Sequence, residues 1–140
     1  MDNVDYNVIY DFFDNLYIDP DSAFDMEDED QISWRIDYGE DVLHLIVERE
    51  SEYIGFSTLS IVSPVFELNN EEVNSQEKLL EIYEDILDLN FNLFQMSLAV
   101  NDNFVFQVYK LKLDKLDVEQ LSEELEFFIL QKRRLENILQ

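Results

Sequence analysis

The chain has 140 residues and 16.8 kDa, the size of one domain, and its 46% hydrophobic and 14% aromatic content supplies a core, which excludes disorder along its whole length. Two glycines, two prolines and no cysteine exclude collagen-like chains, glycine-loop phosphate sites, disulfides, zinc-thiolate centres and a cysteine nucleophile. Thirty-three carboxylates against nine Lys and Arg give a formal charge of −24, which excludes direct nucleic-acid binding and repels anionic membranes; it makes basic proteins the natural partners or serves solubility alone.

From Asn3 to Tyr17, Val4, Val8, Phe12 and Leu16 recur at every fourth position with Ile9 and Phe13 beside them. This spacing predicts an amphipathic helix with Asp5, Asp11 and Asp14 on its polar side and Asp2 or Asn3 as its cap, ending before Pro20. Residues about 18–31 become acidic, closing on Glu27, Asp28, Glu29 and Asp30, and read as an exposed loop. Ile32, Trp34 and Ile36 then alternate with Ser33, Arg35 and Asp37, the period of a half-buried strand, and Gly39 supplies a turn. Val42 to Glu50 and Tyr53 to Val62 are predicted as two further antiparallel strands joined across Ser51 and Glu52, with Pro64 ending the sheet segment.

Asn74 and Glu77 form a cap-like pair ahead of Leu79, Leu80, Ile82, Tyr83, Ile86, Leu87 and Leu89, which predict the second helix. Leu93 to Val100 and Phe104 to Leu113 flank Asn101-Asp102-Asn103, residue types that tolerate the positive φ of a tight hairpin turn. Asp117 and Gln120 open a long last helix whose apolar positions Val118, Leu121, Leu125, Phe128, Leu135 and Leu139 leave one gap, filled by Lys132. The expected fold is α+β, a single domain over 1–140: an antiparallel sheet with helices packed on it, in the order α-β-β-β-α-β-β-α.

Catalytic chemistry finds little support. The lone histidine, His44, shares a strand face with Val42 and Ile46 and reads as a structural sheet residue, and no nucleophile elbow accompanies it. Asp19 and Asp21 fit the first two positions of a calcium loop, but Ala23 stands where a third ligand belongs, Phe24 replaces the glycine and Asp30 the final glutamate. No catalytic residue, metal ligand set or cofactor is therefore expected, and the protein is read as a non-enzyme. The acidic start lacks a secretory signal, and the apolar runs fall short of the ~18 residues of a membrane span. A cytoplasmic location without membrane contact is expected.

Binding surfaces are better supported. Glu77, Glu81, Glu84, Asp85 and Asp88 share one side of the second helix; this is a solvated face or, with Glu27 to Asp30, an imitation of a phosphate row. Phe127-Phe128-Ile129-Leu130 span more than one helix stripe, so either the first helix covers the excess or it forms a second contact surface. Phe127, Phe128, Phe104 and Phe106 are the expected partner-binding anchors, and a homodimer through the second or last helix is expected. Lys132, Arg133 and Arg134 are expected to offset the last helix's dipole or pair with an acidic face.

The stretch Leu79-Leu-Glu-Ile-Tyr-Glu-Asp-Ile-Leu87, continued by Phe94-Gln-Met-Ser-Leu-Ala-Val100, the Asn101-Asp-Asn103 turn and Leu116-Asp-Val-Glu-Gln-Leu121, resembles the YbjN and type III secretion chaperone-like group. The resemblance covers residues 66–139 best. It implies a small acidic α/β sandwich that commonly dimerises, binds a segment of another protein and has no enzymatic activity. The first functional reading is therefore a chaperone-like protein-interaction module. The alternative is an acidic inhibitor or nucleic-acid mimic that blocks a DNA- or RNA-binding protein.

Overall fold

The computed structural model describes residues 6–68, 75–93 and 95–139. Its elements are α1 (Asn7–Asn15), α2 (Pro20–Ala23), β1 (Phe24–Glu27), β2 (Gln31–Tyr38), β3 (Asp41–Glu48), β4 (Thr58–Glu67), α3 (Gln76–Asn92), β5 (Met96–Asn101), β6 (Phe104–Lys112), a 3-10 turn (Leu113–Lys115) and α4 (Val118–Leu139). The strands form one antiparallel sheet in the order β1-β2-β3-β4-β6-β5. The expected α+β fold and its order are present.

Two tight turns set the registers. Gly39, at φ +65, is the first of two residues between the paired Tyr38 and Asp41, where its missing Cβ permits the left-handed conformation. Asp102, at φ +54, adopts the left-handed conformation between the paired Asn101 and Phe104, which its short polar side chain tolerates.

Strand alternation divides the sheet into two unlike faces. Ile32, Trp34 and Ile36, Leu43, Leu45 and Val47, Leu59 and Ile61, and Tyr109 are buried and packed against α1 and α4. From α1 come Ile9, Phe12 and Phe13; the Phe13 ring meets Trp34 edge-on at 5.8 Å. From α4 come Leu121, Leu125 and Phe128. A second cluster joins Ile82 and Ile86 of α3 to Leu98, Val105 and Val65, with Leu135 and Leu139 from the end of α4. The three long helices therefore cover one face and leave the other without a helix among the described residues.

Lys132 of α4 is only 4% exposed and is held by a hydrogen-bonded ion pair. Its Nζ donates to Asp41 Oδ1 and to Ser63 Oγ, each at 2.7 Å, while Arg133 donates to both Asp41 oxygens at 3.1 and 2.6 Å. Burial pushes the Asp41 carboxyl up, but hydrogen bonds and charge from Arg133 and Lys132 outweigh that and hold it below the usual carboxylate range. The gap at Lys132 is thus a core position with its own counter-ion, and Lys132 and Arg133 meet on the single buried carboxylate of Asp41 rather than on an acidic face. The Asp117–Gln120 capping box also forms, with Gln120 N donating to Asp117 Oδ1 at 2.8 Å and Asp117 N to Gln120 Oε1 at 3.1 Å.

Several boundaries differ from expectation. The acidic segment is not a loop throughout: Pro20 opens α2, Asp19 caps it through Asp21 N, and β1 adds a short edge strand to β2. α1 ends at Asn15, and its expected start, with Val4, Asp5 and the Asp2 or Asn3 cap, lies outside the described residues. β4 begins at Thr58, not at Tyr53, and runs through Pro64 to Glu67. Pro64 is tolerated because pairing with β3 stops at Val62 and a register shift falls between Pro64 and Phe66. The cap of α3 is Ser75, whose Oγ accepts from Lys78 N at 3.2 Å; Asn74 lies outside the described residues.

Candidate binding surfaces

α3 carries two apolar stripes. At 3.6 residues per turn, Ile82 and Ile86 face the core, while Leu80, Tyr83, Leu87 and Phe91, spaced three, four and four apart, are left 61%, 42%, 70% and 90% exposed. Next to this outer stripe run Glu77, Glu81, Glu84, Asp85 and Asp88, all exposed. On its other side Asn90 binds the outer edge of β5: its Nδ2 donates to Leu98 O at 3.1 Å, and its Oδ1 accepts from Leu98 N at 2.5 Å. The sequence reading gathered the apolar residues of α3 as one set and missed the outer stripe. The signal was present, since seven apolar residues over Leu79–Leu89 are too many for one buried stripe.

The helix-free face of the sheet is the second surface. Register sets its side chains in cross-strand rows: Arg35, His44, Val62, Val108 and Ser97 form one row, and Ser33, Ile46, Ser60 and Lys110 the next. Asp37 lies opposite Val42 beyond the first row, where Pro64, Phe106 and Ala99 also align. Val42, Ile46, Val62, Pro64, Phe106 and Val108 are half-buried with no helix over them. His44 sits among them, its pKa lowered by burial, with Asp25 opposing and Arg35 reinforcing that shift. His44 does share its face with Val42 and Ile46.

The expected anchors separate here. Phe104, 37% exposed, and Phe106 stand together on β6 with ring centroids 6.1 Å apart, next to this open face. Phe128 is fully buried in the core, so it is corrected from a surface anchor to a packing residue. Phe127 is half-buried with its ring 6.1 Å from that of Tyr109, and the rest of the run divides between Ile129, half-buried, and Leu130, 54% exposed. α1 packs beside α4, yet part of the run, Leu130, stays exposed.

The two acidic sets do not meet. Glu27, Asp28, Glu29 and Asp30 lie in the β1–β2 turn at one edge of the sheet, whereas α3 packs at the β5 edge, with four strands between. The turn is ordered by Arg49, which donates to Asp28 O at 2.6 Å, Glu29 O at 2.9 Å and Glu27 Oε2 at 2.9 Å. At ~4.8 Å per strand spacing the β1 and β5 edges are about 24 Å apart across the sheet. No three metal-ligating side chains converge among the described residues, and no described helix is long and apolar enough to cross a membrane.

No protein-family model matches the sequence, and no curated protein matches it. A solved structure described as the HopA1-SchA chaperone-effector complex contains a chain of similar fold, with a TM-score of 0.54 and 15% identity, covering 94% of this chain and 91% of that one. At that identity the likeness is one of fold, and it extends over nearly the whole chain.

Proposed function

We propose that the protein is a non-enzymatic, chaperone-like interaction module that holds a segment of a partner protein on the helix-free face of its sheet and pairs with a second copy through α3. The observation that carries this reading is the uncovered row structure of Val42, Ile46, Val62, Phe106 and Val108, an apolar surface on a fold whose other face is fully packed. The fold shared with a chain of a chaperone-effector complex supports the same reading. Phe104 and Phe106 supply aromatic anchors at the end of the open face. The outer stripe of α3 suits a second copy, being long, regular and apolar. The carboxylate flank beside it favours basic partners, and a cytoplasmic location fits the absence of a described membrane-spanning helix.

The nucleic-acid mimic stands second, supported only by the five exposed carboxylates of α3. Affinity capture separates the two. A partner held by the wild-type chain and by the Glu81→Gln, Asp85→Asn, Asp88→Asn triple variant, but lost with Phe104→Ser or Phe106→Ser, is the expected result. A partner lost with the triple variant and retained by both Phe variants, with unchanged circular dichroism, contradicts the module reading.

A further inference from the structure

We infer that the end of the open face opposite Phe104 and Phe106 holds a selective subsite for an acidic, extended peptide segment carrying an aromatic or aliphatic residue beside its carboxylates. Residues 53–56 lie beside β4 and β6 and form with them an open, shallow cavity of about 510 Å³, lined by Tyr53, Ile54, Phe56, Thr58, Lys110 and Lys112. That is within the ~300–1,000 Å³ of small-ligand sites. Its walls are aromatic and aliphatic, and Tyr53 and Ile54 remain 89% and 41% exposed, apolar surface with nothing packed over it.

Charge decides the occupant. In a chain with nine basic residues against 33 acidic ones, Lys110 and Lys112 stand two apart on β6 at the rim of one cavity. Lys112 Nζ is 4.3 Å from the centre of the Phe56 ring, and Lys110 Nζ is 3.3 Å from Glu48 Oε1 in a half-exposed pair. Two residues of strand advance ~7 Å, so carboxylates at i and i+2 of an extended segment repeat with the spacing of the two lysines, and a side chain at i+4 on the same face reaches the cavity. Ser60, cross-strand from Lys110, has a buried hydroxyl with no hydrogen-bond partner among the described residues, so the row beneath the lysine also retains an unused polar group. Glu48, paired with Lys110, and the nearby Glu50 and Glu52 are the local carboxylates with which the peptide competes for the two lysines, while screening over ~8 Å leaves the more distant acidic surface a weak influence. The subsite thus selects a local chemistry opposite to that favoured by the chain's overall charge.

The inference rests on the module reading and names the chemistry of the segment that reading requires. The probe is the peptide acetyl-Ser-Glu-Ser-Glu-Ser-Phe-Ser-amide, titrated into the full ¹⁵N-labelled chain, with counterparts carrying Gln or Lys for Glu. Expected are shifts confined to amides 53–58 and 110–112, binding at least tenfold weaker for the Gln and Lys peptides, and at least tenfold loss in Lys110→Gln, Lys112→Gln. Retention in Lys112→Arg and an otherwise unchanged spectrum show that the fold is intact. Equal binding of the Gln peptide, or no shift at these amides, overturns the subsite. Shifts confined to Val62, Phe106 and Val108 overturn it while leaving the module reading standing.

Discussion

α4 and α3 rest on the same face of the same sheet, yet they use their apolar residues differently. In α4 the stripe Leu121, Leu125, Phe128, Leu135 and Leu139 is buried throughout, and even its charged interruption, Lys132, is closed by Asp41 and Ser63. In α3 only Ile82 and Ile86 are buried, and a second stripe of equal regularity faces outward. A helix that has spent its apolar surface inside anchors a fold; one that keeps half of it outside is available to a partner. The two faces of the sheet repeat this division, one covered by helices and the other left as half-buried rows.

The contrast is broken most forcefully from inside α4. Phe128→Ala is expected to cost about 3–5 kcal/mol by urea denaturation, as for other buried aromatic truncations, whereas Leu87→Ala on the outer stripe of α3 stays within about 0.5 kcal/mol for the monomer. Comparable losses at both sites would erase the distinction. Lys132→Ala leaves Asp41 buried with Arg133 as its remaining cation and is expected to cost about 3 kcal/mol, with Lys132→Met paired to Asp41→Leu recovering most of it.

A smaller effect comes with acid. Because Asp41 is held below the ordinary carboxylate range, the unfolded chain takes up that proton first as pH falls. Its contribution is complete above about pH 5 and declines as pH drops through ~4 and below. A chain of charge −24 also repels itself, so added salt should stabilise. Comparing pH-dependent melting of the wild type and Asp41→Asn isolates the Asp41 part: the acid-induced loss should shrink in the variant, and identical profiles would show that the clamp contributes nothing.

The smallest expected effect concerns His44. Burial lowers its pKa, so the unfolded chain binds its proton first, and the stability it contributes is present above ~6.5 and reduced as pH falls through that value. NMR titration should place its midpoint below 6.5, and a segment covering the open face should lower it further. An unchanged midpoint on binding would locate that segment elsewhere.

Much of this division was written in local patterns. Alternation in Ile32 to Ile36 and Val42 to Val47, the Gly39 and Asp102 turns and the Asp117–Gln120 cap all act over a few residues, so they were legible. The gap at Lys132 was legible as an anomaly, but its partner Asp41 lies 91 residues away and carries no local mark. β1 was missed because Phe24-Asp-Met-Glu27 is exposed on every residue and has no buried face to create an alternation. Pro64 read as a strand end because a proline's missing N–H is harmless only where a ladder has lapsed, a fact of tertiary pairing. Phe127 to Leu130 and the residues of α3 failed for one reason: consecutive apolar residues in a helix point several ways, and only packing shows which of them are covered. Phe104 and Phe106, by contrast, sit where strand alternation put them, side by side on one face.

The mass of the chain in solution tests the role of the outer α3 stripe most directly. Light scattering from low to high micromolar concentration should give twice the 16.8 kDa chain mass for the wild type, and the monomer mass for Leu87→Glu with the same melting profile at low concentration. A wild-type mass of 16.8 kDa across that range would show that the outer stripe of α3 is not the interface proposed here.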